Sequence, residues 1–540
     1  MSKKGLVLAV AIAMLMTLLA ACAGKGEEQG ASNSANPSPS ADTSAPPASE
    51  AAAPDYGDTG GLTLPLVDKP TTITWMVVSE NPVADKFIVK EIEKRTGIHV
   101  DFQSYSKATF QEKLRVTLGS GKLPDIFHGL PLAEVKKLGK QKAVAAITDY
   151  ADQLPNFTKL YLEENSWVKQ SYGDEQSTMY TWPIYNMNRD VNHGFLYRKD
   201  IFDQHHIPLW TNTEEFYQAL KALKEHYPQS YPLASKTTAN LFKDYAYGWG
   251  IGGESYPMYY DEAAAEWKFA PIQPANKEMI DFLKKLLNEG LLDPEFLTDT
   301  SDSWTSKMTT DKAFVTFDWI GRLDLFYNQI SSKNPSYDLR YGNPVGPTGN
   351  IRTLSPINNE LNIAVANNAN TEIALKLLDY MSSPSGGTLM SMGVEGEVFT
   401  LEHDKAVYPE LTDVPLVDIN VLANEYGLWL EGATLRPDRR SVYYNFTEKE
   451  QEAQDTMLAA QSFEPLDPVL NFTDAETAEI VELQTMLQKA AEEFNANYVL
   501  DPAYGDADWE EWKEYAEKLG ASKLAAVYNE AQKRYGAASK

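Results

Sequence analysis

Alternating and helical hydrophobic patterns divide the first part of the chain into short units. Thr71–Val78 reads as a strand, closed by Ser79, Glu80, Asn81 and Pro82. Ala84, Phe87, Ile88 and Ile92 then recur at helical spacing, and Gly97 suits the left-handed residue that ends such a helix. Ile98–Phe102 alternates again. Phe110, Leu114 and Leu118 mark a second helix, stopped by Gly119-Ser120-Gly121, and Leu123–Phe127 opens a third strand. This β-α-β-α-β order predicts a doubly wound α/β lobe with its ligand near the carboxyl ends of the strands. Glu80, Asn81 and His128 occupy those ends.

Further on, Lys277–Glu289 is amphipathic, with Ile280, Leu283, Leu286 and Leu287 inward and Gly290 closing it. Ala313–Phe317 is a short β-like run, broken by Asp318–Arg322. Glu372–Met381 and Glu476–Asn495 read as helices, and residues 401–470 read as loop-rich and aromatic. The stretch Tyr180–Lys199 fits neither period. It is aromatic, polar and interrupted by Gly194, which suits the wall of a cleft between two lobes. A half-buried strand that uses Tyr and Trp as β-formers accounts for it equally well.

The amino terminus carries a different signal. Lys3 and Lys4 precede an apolar run, Leu6–Leu19, too short for an ordinary spanning helix, and Leu19-Ala20-Ala21-Cys22 has the form of a bacterial lipobox. Residues 1–21 are therefore expected to be a lipoprotein signal peptide. Cys22 is the lipidated residue, which places the protein outside the cytoplasmic membrane and anchored to it. Several acyl chains would hold it stably, at about 0.8 kcal/mol per buried CH2. Residues 22–61 are rich in Ala, Ser, Pro, Gly and Glu and read as a flexible tether. Residues 62–540 form the folded part.

The chain has 540 residues, a formal charge of −28 and one cysteine. No basic run stands against that charge, which argues against nucleic acid or other polyphosphate partners. A lone cysteine excludes an intrachain disulfide and a thiolate zinc site. The seven histidines form no metal motif. No P-loop, no dinucleotide fingerprint and no nucleophile elbow appears, so no cofactor is expected.

Several short elements, in one order, resemble a known family. They are LGSGKLPDIF (Leu118–Phe127), VAAITD (Val144–Asp149), YTWP (Tyr180–Pro183), LYRKD (Leu196–Asp200) and WTNTEEFYQAL (Trp210–Leu220). NEGLLDP (Asn288–Pro294), KAFVTFDW (Lys312–Trp319), Asn370–Tyr380 and GVEG (Gly393–Gly396) continue the series. Together they resemble extracellular solute-binding proteins of family 1, the sugar-binding subunits of ABC importers. Val144 and Ala146 depart from the family's second element. The length and the block from Asp506 to Tyr535 resemble the larger lipoprotein branch, linked to complex oligosaccharides.

The resemblance implies an α/β, two-lobed periplasmic-binding-protein-like fold of type II, with lobes discontinuous in sequence, a hinge and an interlobe cleft. Crossings are expected near residues 190, 317 and 385. Lobe 1 would comprise residues 62–190 and 317–385, and lobe 2 residues 191–316 and 386–540. It also implies a monomer that captures an oligosaccharide and presents it to the transmembrane subunits of a permease, without catalysis. A surface-anchored lyase or hydrolase and a peptide-binding lipoprotein remain open alternatives.

Pyranose faces stack on aromatic rings, and hydroxyls need a few fixed polar partners. Trp319 is the first candidate, at a strand end beside Gly321; core packing is its competing role. The resemblance matches it to an aromatic residue that often touches sugar. Trp249 and Trp304 are further stacking candidates. Tyr185, Asn188 and Arg322 could donate to hydroxyls, while Glu80 and Glu395 could accept.

Overall fold

The first sheet is organised around β1 (Thr71–Val78), whose alternate side chains serve two different cores. Ile73, Trp75 and Val77 pack on one face, and Met76 on the other. This computed structural model describes residues 54–538, apart from Asn186, Asn188, Asp190, Thr237 and Pro415. Strand β1 pairs in parallel with β2 (Ile98–Tyr105), Thr71 opposite Ile98, and with β3 (Ile126–Phe127), Trp75 opposite Ile126. The helix Phe87–Thr96 connects β1 to β2 and ends as expected. Gly97 takes φ +73°, and its N–H donates to the carbonyl of Glu93. A Cβ there would also press on Val67 at 3.0 Å.

The sheet continues through β10 (Ile357–Val365) to β4 (Trp182–Tyr185), both joined antiparallel, in the order β2-β1-β3-β10-β4. It is therefore a parallel doubly wound core with an antiparallel edge. A second sheet is formed by β5 (His193–Arg198) between β8 (Val315–Trp319) and β9 (Leu339–Tyr341). Strands β6 (Met258–Asp261) and β7 (Glu266–Phe269) make one hairpin, and β11 (Thr400–Glu402) and β12 (Lys405–Val407) another.

Two separate sets of buried side chains define the lobes. One surrounds the first sheet and draws on residues 73–182 and 357–435. The other surrounds the second sheet and draws on residues 191–351 and 453–528. Its carboxyl-terminal part includes the long helix Asp474–Leu500 and the two helices after it.

The division differs from the sequence expectation at two crossings. Residues 317–351 stay with the second lobe, because the helix Arg322–Ile330 turns Leu323 and Phe326 onto the core that holds Leu196 of β5 and Leu339 and Tyr341 of β9. Residues 386–435 stay with the first, through Leu389, Met390, Val398, Phe399, Leu422 and Leu430. The chain thus crosses between β4 and β5, between Ile351 and Ile357, and after Leu435. Residues 56–61 also depart from the expected tether. Tyr56 lies 4.9 Å beneath the Arg95 guanidinium, and its carbonyl accepts from Ser385 Oγ at 2.6 Å. Cys22 and the residues before it lie outside the described part of the chain.

The first crossing is held from the side. Gln454, buried on the helix Glu448–Ala460, accepts from the Val191 N–H at 2.9 Å and donates to its carbonyl at 2.6 Å. Arg189 donates to Glu450 on the same helix at 2.7 Å and to the Tyr443 carbonyl at 3.0 Å.

Candidate functional site

A cavity of about 540 Å³ opens at the carboxyl end of β1. Its walls come from Val78–Asn81, the end of β4, the middle of β10 and the turn Trp429–Thr434. The expected candidates Glu80, Asn81 and Tyr185 line it. Each is fixed by a specific partner. Glu80 accepts from the Lys107 N–H at 3.1 Å, Asn81 donates to Asn424 at 2.6 Å, and the Arg436 guanidinium sits 5.3 Å over the Tyr185 ring. Trp429 joins them, its indole N–H held by the Ser391 carbonyl at 2.7 Å. Apolar Ile184, Leu361 and Leu430 alternate there with Asn358, Glu360 and Glu431.

His128 is placed beneath this cavity rather than in its wall. It is 2% exposed, stacks on Phe110 at 4.5 Å and backs onto Gly432. Burial pushes its pKa down to about 4, so the ring is neutral. Gly432 itself has φ +94°, and a Cβ on it would come 2.3 Å from His128 Cδ2. Its carbonyl accepts from the Trp75 indole at 3.1 Å. Gly432 is the residue that lets this wall approach the core so closely.

On the second lobe, Trp319 ends β8 and is 46% exposed; no other described tryptophan stands among the exposed large apolar residues. Its ring meets that of His193, the first residue of β5, with centroids 3.8 Å apart at 49°. Strand register explains the meeting, since His193 pairs with Trp319 directly. The backbone N–H of Trp319 donates to Asp318 at 2.8 Å, and the Arg322 Nε donates to the same carboxylate at 2.9 Å. Asp318 is buried and also faces Lys236 at 3.8 Å. Burial pushes the Asp244 carboxyl well above the ordinary range, although Arg352, Lys243 and Lys236 oppose that shift. Burial, reinforced by the same three cations, lowers His193 to about 3.

Other candidates are placed elsewhere. Trp249 packs with Tyr245 and Phe282 in the second core. Trp304 is 1% exposed, and its indole donates to Thr316 at 2.9 Å. Glu395 is exposed on the loop before β11 and does not line the cavity. Asn188 lies outside the described residues. The cavity residues Lys107, Asn358, Glu360, Asn424, Trp429 and Glu431, and the second-lobe group His193, Lys236, Asp244 and Arg352, were not singled out by sequence. Trp429 and Glu431 carried one signal, the dense Gly427–Gly432 turn. Among the described residues no group of His, Cys, Asp and Glu is arranged to hold a metal ion.

Chain continuity sets the two faces near each other. Met187 of the cavity and His193 are six positions apart, as are Arg352 and Asn358. Six residues span at most about 22 Å. The cavity and the Trp319 face therefore flank the same crossing segments, on opposite lobes.

The model of the bacterial extracellular solute-binding protein family matches residues 78–388, more than half of the chain. The chain belongs to that family. This solute-binding protein is similar to the fructooligosaccharide ABC transporter substrate-binding protein FusA of Streptococcus pneumoniae serotype 4. The two are 24% identical over 377 residues, covering 64% of this chain and 67% of FusA. It is also similar to the polygalacturonan/rhamnogalacturonan-binding protein YtcQ of Bacillus subtilis, at 24% over 363 residues, covering 63% and 68%. Among solved structures, an extracellular solute-binding protein from Bifidobacterium longum subsp. infantis superposes with a TM-score of 0.69 at 16% identity, over 86% of this chain and 98% of that one. The shared architecture is the two-lobed binding-protein fold with its interlobe cleft.

Proposed function

We propose that this solute-binding protein is the receptor of an ABC importer, lipid-anchored at Cys22, that captures an oligosaccharide between its lobes and presents it to a membrane permease. One observation carries the reading. An exposed indole, Trp319, and a cavity lined by Tyr185, Trp429 and a few amides and carboxylates flank the same crossing segments from opposite lobes. That is the arrangement a sugar needs, with C–H faces on aromatic rings and hydroxyls on fixed amides and carboxylates. The ligands for which FusA and YtcQ are named, both oligo- or polysaccharides, support it. Closure of the lobes about the crossings would desolvate the ligand and create the state a permease distinguishes from the empty one. The protein acts as a monomer, with no cofactor, and returns its ligand unchanged.

The test is a melting-temperature screen of neutral oligosaccharides, uronate oligomers and peptides, followed by chromatography of the recovered ligand. A ligand in large excess over its dissociation constant raises stability by several kcal/mol. A shift with one glycan class and intact glycan afterwards supports the reading. Cleaved glycan would indicate an enzyme, and a shift with peptides alone would leave the fold and remove the ligand class.

A further inference from the structure

The two walls of the cleft differ in charge. Among the described residues that line the first-lobe cavity, Glu80, Glu360 and Glu431 face one cation, Lys107. On the second lobe Lys236, Lys243, Arg322 and Arg352 gather about the His193–Trp319 pair, in a chain whose formal charge is −28. Three acids stand among them: Asp244, whose carboxyl burial pushes well above the ordinary range although Arg352, Lys243 and Lys236 oppose that shift, and Asp318 and Glu254, which are occupied. Asp318 takes Arg322 at 2.9 Å, and Glu254 takes Arg352 through Nε at 2.8 Å and Nη2 at 3.1 Å. Lys236 stands 3.8 Å from Asp318, beyond hydrogen-bond length, and 5.6 Å over the Trp304 ring, so its ammonium keeps donor capacity.

His193 lies within the same group of cations. Its side chain is 7% exposed, its Nδ1 has no partner among the described residues, and Arg352, Lys243 and Lys236 act on it. Cations collected around a buried neutral ring repel one another, and they do so more strongly in a cleft than in bulk water. An anionic group of the ligand would relieve that repulsion.

We propose that the second-lobe wall is a subsite for a sugar that bears a carboxylate, its ring on the Trp319 face and its acid group toward Lys236, Lys243 and Arg352. The inference rests on the oligosaccharide reading above and narrows it to uronate-containing glycans. The acidic cavity of the first lobe repels a carboxylate, so the charge on the opposite wall also fixes which way the ring faces.

Calorimetric titration of the full chain tests this with uronate trimers of the galacto, manno and gluco series, each beside its methyl ester, and with neutral hexose trimers. Esterification removes the charge and keeps the ring. One of the acids should bind at least about tenfold more tightly than its ester, a difference of about 1.4 kcal/mol. That gap should narrow at high salt, since part-exposed charges are screened. Lys236→Met and Lys243→Met should each lower acid binding several-fold more than ester binding. Esters or neutral trimers that bind as tightly as every acid would overturn the uronate subsite and leave the oligosaccharide reading standing. No binding by any of these sugars would remove both.

Discussion

The indole of Trp319 and the imidazole of His193 meet with centroids 3.8 Å apart, tilted at 49°, because β8 and β5 pair these two residues directly. The strand register therefore presents an aromatic platform on a rigid sheet end, and His193 backs it while Trp319 stays 46% exposed. Trp319→Ala should weaken oligosaccharide binding by roughly tenfold or more, about 1.4 kcal/mol. It should change the melting temperature little, because an exposed ring leaves no cavity behind. A large loss of stability with unchanged binding would return Trp319 to the core-packing role that the sequence left open.

Gly432 is under the opposite constraint. Its backbone is left-handed, and a Cβ would meet His128 at 2.3 Å. Gly432→Ala is expected to cost about 1–3 kcal/mol in denaturant unfolding, from backbone strain and displacement of a packed ring. Because Gly432 lines the cavity, the same variant should also lose ligand affinity.

The crossing after β4 owes its position to Gln454, which satisfies both backbone groups of Val191. Gln454→Leu removes the partners of both the Val191 N–H and the Val191 carbonyl, at a cost of about 1–3 kcal/mol for each group left unpaired. Chemical denaturation reads the stability, and calorimetry reads a parallel change in ligand affinity, although Gln454 lines neither the cavity nor the Trp319 face.

Glu464 gives a pH test with a defined sign. It accepts from Asn350 at 2.7 Å, and burial pushes its pKa up to about 7, with Asp467 and Glu262 adding to the rise. Its folded pKa is raised above the unfolded value, so the folded state holds the extra proton. Its contribution is fully present below the ordinary carboxylate range and is lost as pH rises through about 7. Glu464→Gln keeps the acceptor and removes the titration. Wild type should therefore lose stability relative to Glu464→Gln between pH 5 and pH 8, measured by paired denaturation curves. A constant difference across that range would show that the carboxyl titrates normally.

What could be read from sequence was what depends on local pattern. The period of two in β1 and β2, the 3.6-residue stripe of the helix Phe87–Thr96 and the left-handed Gly97 each follow from neighbours in the chain. So does Trp319, a tryptophan at the end of a short apolar run. Lobe membership was harder. Periodicity shows that Leu323 and Phe326 are buried on one face, but not which of two cores receives them, and the chain returns to the second. The aromatic stretch Tyr180–Lys199 resolves into both of its readings. Trp182 and Phe195 enter the two cores, while Tyr185 alone of its aromatics lines the cavity. The cationic group around His193 joins residues from β5, the segment before β10 and the region 236–244, so only tertiary packing assembles it.

The central claim is that a sugar is held between two lobes that move about three crossings. Small-angle scattering of the protein alone and with a saturating oligosaccharide tests this most directly. A smaller radius of gyration in the complex, with the oligosaccharide recovered intact, is the predicted result. A bound oligosaccharide that leaves the scattering unchanged would contradict closure, and fragments in place of the oligosaccharide would contradict transport.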